Sequence, residues 1–303
     1  MDRTRKPGRD TPTSAWDNAR PRGPRPDKRE RERLRRDNAP APSSPPPPST
    51  RSAPAHQRHE EVRLFGINAC QAVFQHRPQD VRKVYLTEER IAAFKPVLAW
   101  CVRERVGYRI VEGADLDKLA ASQHHEGVCF EVRRRAPLAL DALLAQLPAA
   151  PAPALLVVLD GVGNPHNFGA VLRSAAHFGV AGIVLPADSP LTLSGAACRV
   201  AEGGAEIVAL ARPEAGQDVV ATLRHAGFAV VATVPRAGEA LFTGGLPGRT
   251  AVVFGAEGEG MSAGLIRVAD HRLTIPGTGN VESLNIAASA AVLFAEYFRR
   301  HKA

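Results

Sequence analysis

The sequence predicts an α/β protein whose larger part is a mostly parallel sheet flanked by helices. Three observations lead there. From residue 63 onward, short aliphatic and β-branched runs alternate with helical patterns. Strands separated by helices are joined by crossovers, so they lie parallel. Glycine and polar residues gather directly after several of those strands, where open parallel sheets hold their ligands.

The elements follow in order. In a small module over 61–135, apolar residues at helical spacing mark helices at 66–75, 91–106 and 115–121, and β-rich runs mark strands at 81–86, 108–111 and 127–132. The basic run 133–135, a short helical pattern around 138–147 and the small-residue stretch 148–153 follow; 136–153 reads as an interdomain linker. The second series, 154–303, opens with the buried-strand run at 155–159 and a helix over 168–178. Further strands fall at 182–185, 207–210, 229–233, 251–254 and 272–275, with helices at 217–225 and 284–300. No internal repeat is visible.

At 303 residues the chain has room for about two domains. Its 44% hydrophobic and 23% charged residues exclude a chain disordered throughout. The net charge of +8 is local: residues 1–60 carry 15 Lys and Arg against 8 Asp and Glu, with 12 of the 25 prolines, and the other 243 residues are nearly neutral. Such a segment buries too little apolar surface to offset chain entropy, so a disordered basic tail is expected. Its Arg-rich stretch 20–36 suits salt-sensitive contact with RNA phosphates, a solvated linker being the plain alternative. The start lacks an apolar signal core, and no apolar run approaches the ~18 residues of a membrane span; a cytoplasmic protein without membrane contact is expected. Cys70, Cys101, Cys129 and Cys198 are scattered and form no C-x-x-C pair, which favours buried thiols over disulfides or a metal site.

Three loops carry the candidate chemistry. The first, 160–169, leads into a helix bearing Arg173, six positions after Asn167; Asn167 also reads well as that helix's cap and Arg173 as a surface ion-pair partner. The second, 254–262, contains Gly255, Glu257 and Gly258; its glycines permit close approach to a ligand and equally a plain turn. The third, 275–285, ends with Ser283 at the expected start of the last helix and Asn285 in its first turn, where free backbone N–H groups are available; Ser283 as a simple N-cap is the alternative. Neither a G-x-G-x-x-G dinucleotide fingerprint nor a Walker loop is present.

In order and spacing, the three loops resemble the motifs of the SpoU/TrmH family of RNA ribose 2′-O-methyltransferases (the SPOUT superfamily). They read N-P-H-N-F-G-A-V-L-R-S-A at 164–175, F-G-A-E-G-E-G at 254–260 and I-P-G-T-G-N-V-E-S-L-N at 275–285. Within the family, V-G-N-P-H-N at 162–167 is most similar to the YfiF-like group. The first module is similar in element order to the ribosomal-protein-like RNA-binding domain that precedes many members.

The resemblance implies a carboxyl-terminal domain with a trefoil knot and S-adenosylmethionine as methyl donor, held by Gly255, Ile275 and Leu284 with Thr233, Glu257 and Gly258 nearby. It implies catalytic roles for Asn167, Arg173, Glu257, Ser283 and Asn285, no metal, an rRNA or tRNA substrate, and a homodimer in which one subunit's arginine faces the other's methyl donor. Arg173 would position phosphate and hydroxyl through its fork of donors, or act as base when a phosphate activates it. Two positions depart from the family's habit: Asn164 stands where Asp is frequent, and Gly277 where Met is common. Two other functions stay open on the residues alone, a non-catalytic RNA-binding or ribosome-assembly factor and a small-molecule nucleotide enzyme.

Overall fold

The computed structural model describes residues 60–302, Glu257 and Glu259 excepted. The tail expected to be disordered lies outside the described residues but for Glu60. The small module comprises β1 (Glu61–Phe65), α1 (Ile67–His76), β2 (Val81–Leu86), α2 (Lys95–Glu104), β3 (Gly107–Ile110), α3 (Gly113–Ala120) and β4 (Val128–Arg133). Its four strands lie in the order β1-β4-β2-β3, with β4 antiparallel to both neighbours and β3 parallel to β2. Val84, Leu86, Phe130 and Val132 are fully buried, and Phe94 meets Phe130 edge-on at 6.1 Å. The helix expected from residue 91 begins instead at Lys95, because Pro96 occupies its first turn, where a missing N–H removes no helix bond.

The second series contains β5 (Leu138–Ala139), α4 (Leu140–Ala145), β6 (Ala154–Leu159), α5 (Pro165–His177), β7 (Gly182–Val184), α6 (Gly195–Ala201), α7 (Gly204–Ile207) and β8 (Leu210–Arg212). It continues through α8 (Val219–His225), β9 (Ala229–Thr233), β10 (Glu239–Ala240), β11 (Arg249–Phe254), α9 (Ala263–Val268), β12 (His271–Thr274) and α10 (Ile286–His301). The strands form one sheet in the order β10-β12-β9-β11-β6-β7-β8-β5, parallel at every pairing. All six residues of central β6 are buried; a strand covered on both faces has no solvent side, hence the unbroken apolar run.

Two further expectations change. The stretch read as a linker adds β5 to the sheet beside β8 and buries Leu140 and Leu143 through α4, so its apolar pattern is used for packing. The strand expected at 207–210 starts only at Leu210; Val208 N bonds back to Gly204 O, and Ile207 closes α7 with 62% of its surface exposed.

After β11 the chain crosses beyond β9 to form β12, then returns so that α10 packs on α5. Phe294 meets Phe254 at 6.4 Å, the Tyr297 hydroxyl donates to Gly248 O, and Arg300 donates to Gly244 O at 2.9 Å. The four cysteines are free and buried; burial pushes the Cys101 thiol up to about 11 and those of Cys129 and Cys198 to about 12. Among the described residues, no helix is long and apolar enough to cross a membrane.

Candidate active site

The site is built where β6, β9, β11 and β12 end. After β6 the chain turns through Gly161 and enters α5. Asn164, not Asn167, caps this helix: its Oδ1 accepts from His166 N at 2.8 Å and from Asn167 N at 3.4 Å, with Pro165 at the first helical position. A pre-organised proline just inside the helix fixes the start there. Asn167 is thereby freed from capping and lies half-buried in the first turn.

The third loop contributes its partner. Asn285, not Ser283, caps α10, its Oδ1 accepting from Ala287 N at 2.9 Å. The same side chain donates from Nδ2 to Asn167 Oδ1 at 3.1 Å across a sequence separation of 118. Because Oδ1 of Asn285 is committed to a backbone N–H, its other end must be the donor, which orients both amides. Asn167 Nδ2 then makes no bond to any described residue. Ser283 is exposed two residues ahead of the cap, with no hydrogen bond among the described residues.

Asn164 and Asn167, together with Gly161, Val162, Gly163 and Ala256, line a cavity of about 200 Å³. The four last-named were not picked out from the sequence, although they sit inside or beside two of the motifs. Gly161 lies at φ 70° with Ala256 directly against it. Arg173 is exposed lower on α5 and pairs with no described residue. Six residues along a helix carry it about 9 Å from Asn167 and round to another side, so the two donors do not converge within one chain.

Thr233, Gly255 and Ile275 meet at one edge, because β12, β9 and β11 are neighbours and these residues end or follow them. The Thr233 hydroxyl donates to Val253 O at 2.8 Å and ties the end of β9 to β11, just ahead of the second loop. The second loop closes on itself through paired bonds between Ala256 and Gly260, both 3.0 Å. A Cβ on Gly255 would stand 2.5 Å from the Gly260 and Met261 backbone, so only glycine fits. Glu257 lies outside the described residues; Gly258 is exposed at the loop's tip. Half-buried Ile275 adds apolar surface at this edge, and Leu284 of the same third loop is 48% exposed. An edge that mixes backbone polar groups with uncovered aliphatic surface fits a ligand with a flat apolar ring and a polar rim, such as S-adenosylmethionine.

Comparison with known proteins agrees with this geometry. The SpoU rRNA Methylase family matches residues 154–295, and the RNA 2'-O ribose methyltransferase substrate binding family matches residues 63–138. The chain is 40% identical over 250 residues to YfiF of Escherichia coli O157:H7, an uncharacterized tRNA/rRNA methyltransferase, covering 82% of this chain and 70% of that protein. It is 35% identical over 248 residues to RlmB of Pasteurella multocida, a 23S rRNA (guanosine-2'-O-)-methyltransferase, covering 79% and 98%. The fold is shared with the SpoU methyltransferase AviRb of Streptomyces viridochromogenes in complex with AdoMet, with a TM-score of 0.65 at 23% identity over 81% of this chain and 92% of that one. An AdoMet-bound rRNA methyltransferase of Sinorhizobium meliloti gives 0.66 at 21% identity over 82% and 90%. On these relationships and on its parallel sheet with returning last helix, the chain belongs to the SpoU family of RNA methyltransferases.

Proposed function

We propose that the protein methylates a ribose 2′-hydroxyl of rRNA or tRNA with S-adenosylmethionine, working in the cytoplasm as a homodimer. The observation that carries the reading is the hydrogen bond from Asn285 to Asn167, which joins the first and third motifs beside the cavity. The cofactor supplies a methyl carbon activated by its sulfonium. Gly255, Ile275 and Leu284 would hold it, with Thr233, Gly258 and Glu257 around them. The small domain over 61–135 binds the RNA.

A ribose hydroxyl is a weak nucleophile and must lose its proton as it attacks. Arg173, held outward on α5 without a protein partner among the described residues, offers a planar fork of donors to a phosphate and the neighbouring hydroxyl. Its distance from Asn167 within one chain suits a site completed across a dimer. Asn167, oriented by Asn285, turns its Nδ2 donor toward the substrate, and exposed Ser283 lines the same approach. Asn167→Ala and Arg173→Ala test this. Both are expected to fold, to bind S-adenosylmethionine and to lose methyl transfer; full activity in both would remove these residues from the site.

A further inference from the structure

We infer that Arg77 and Glu206 are positioning residues that clamp the small domain onto α7, the short helix bearing on the backbone at Arg173, so that the RNA-binding module and Arg173 move as one body. The inference rests on the function proposed above, in which Arg173 meets the RNA that the module holds.

Arg77 closes α1 and faces α7. Its Nε and Nη2 donate to Glu206 Oε2 and Oε1 at 2.7 and 2.9 Å, and the two side chains are 10% and 4% exposed. Its Nη1 donates to Arg133 O at the end of β4 at 2.7 Å and reaches Asp80 at 3.4 Å. One guanidinium thus spans the small sheet and α7. Arg135, just after β4, grips the same helix, donating to Ala205 O and Val208 O, both at 2.7 Å. Burial works against the charge on Arg77, and its carboxylate partners Glu206 and Asp80 together more than restore it.

The other side of α7 meets α5 at Gly204 with no side chain among its nearest neighbours larger than the Ala176 methyl. A Cβ on Gly204 would lie 2.8 Å from Leu172 O and 3.1 Å from Arg173 Cα. At α6 the small domain approaches equally closely: a Cβ on Gly195 would stand 2.5 Å from Arg63 O and from the Phe65 ring. Layers this closely packed, on backbone, a methyl group and one ring, have no long flexible side chains between them at these points, so a shift of one is passed to the next. A buried ion pair gains little net stability over apolar packing, but a bidentate fork admits only one geometry. Of the pairs around it, exposed Asn68 with Glu202 is of the kind that adds little, while half-buried Arg199 with Glu126 supports the same contact between the two domains.

The test uses the full chain with spin labels at two exposed positions, Val102→Cys on the small domain and Ala215→Cys on the large one, the labelled chain diluted with excess unlabelled chain so that only distances within one subunit are read. The four native thiols are buried. A single narrow label-to-label distance is expected without further change, and a broadened distribution in Glu206→Gln. Arg77→Lys keeps the buried charge, and so the fold, but loses the fork; it too is expected to broaden the distance. Both variants should keep the Kd for S-adenosylmethionine and lower kcat on RNA about tenfold or more. A narrow distance with unchanged kcat in folded Arg77→Lys would overturn the clamp. If the unsubstituted protein transferred no methyl to any RNA, the reading of the site would fall, and the distances would still decide the clamp.

Discussion

Asn285 donates a hydrogen bond to Asn167 at 3.1 Å while its own oxygen caps α10. One side chain therefore starts a helix and orients a residue 118 positions away, and the two tasks can be separated by substitution.

Asn285→Asp keeps a good cap but removes the donor. Asn167 would have to turn its amide and give up the donor it directs outward. Stability within about 0.5 kcal/mol of the parent is expected, with methyl transfer reduced at least tenfold. Asn285→Ala should lose the cap as well, at a cost of about 1 kcal/mol. Urea titration beside a transfer assay checks both; an Asn285→Asp protein with parental activity would contradict the orienting role.

Asn164→Ala removes the α5 cap and should cost about 1 kcal/mol, whereas Asn164→Asp, restoring the residue frequent in the family, should fold as well as the parent. Equal midpoints for all three proteins in a urea titration would show that α5 does not depend on this cap.

Arg173→Lys tests the fork. The residue is exposed and makes no bond to a described residue, so stability should change by less than about 0.5 kcal/mol. An ammonium cannot donate two parallel bonds to a phosphate, so most of the activity should go. Retention of activity in Arg173→Lys would mean that a point charge is sufficient.

The buried thiols give a pH prediction. Burial raises Cys101 to about 11 and Cys129 and Cys198 to about 12, from an ordinary value near 9. An acid whose folded pKa is raised stays protonated in the native state. The stability linked to it is whole below about pH 9 and is lost as the pH climbs toward the folded values. The midpoint of urea unfolding should hold steady up to pH 9 and fall above it. At pH 8 a thiol reagent should label none of the four until the protein unfolds; rapid labelling of the native protein would contradict their burial.

The large sheet was legible because its strands are unbroken aliphatic runs, as in β6, where both faces are covered. Elements held by close backbone approach were not. α6 and α7, rich in glycine and alanine, carry no apolar period to read, since their packing depends on missing side chains. The site residues were named through three motifs whose spacing is local, and the caps were misplaced: Asn164 and Asn167 are equally good cap residues, as are Ser283 and Asn285. Pro165 was the signal that could have decided the first pair. The Asn167–Asn285 and Arg77–Glu206 contacts span 118 and 129 positions, and no local pattern announces a contact at that range.

The most direct test incubates the protein with labelled S-adenosylmethionine and rRNA or tRNA from cells lacking it, then maps the modified nucleotide. Transfer to a ribose 2′-oxygen, abolished in Arg173→Ala, is the result expected. Cofactor-independent RNA binding with no transfer to either RNA would contradict it and favour a protein that keeps the fold for RNA binding alone.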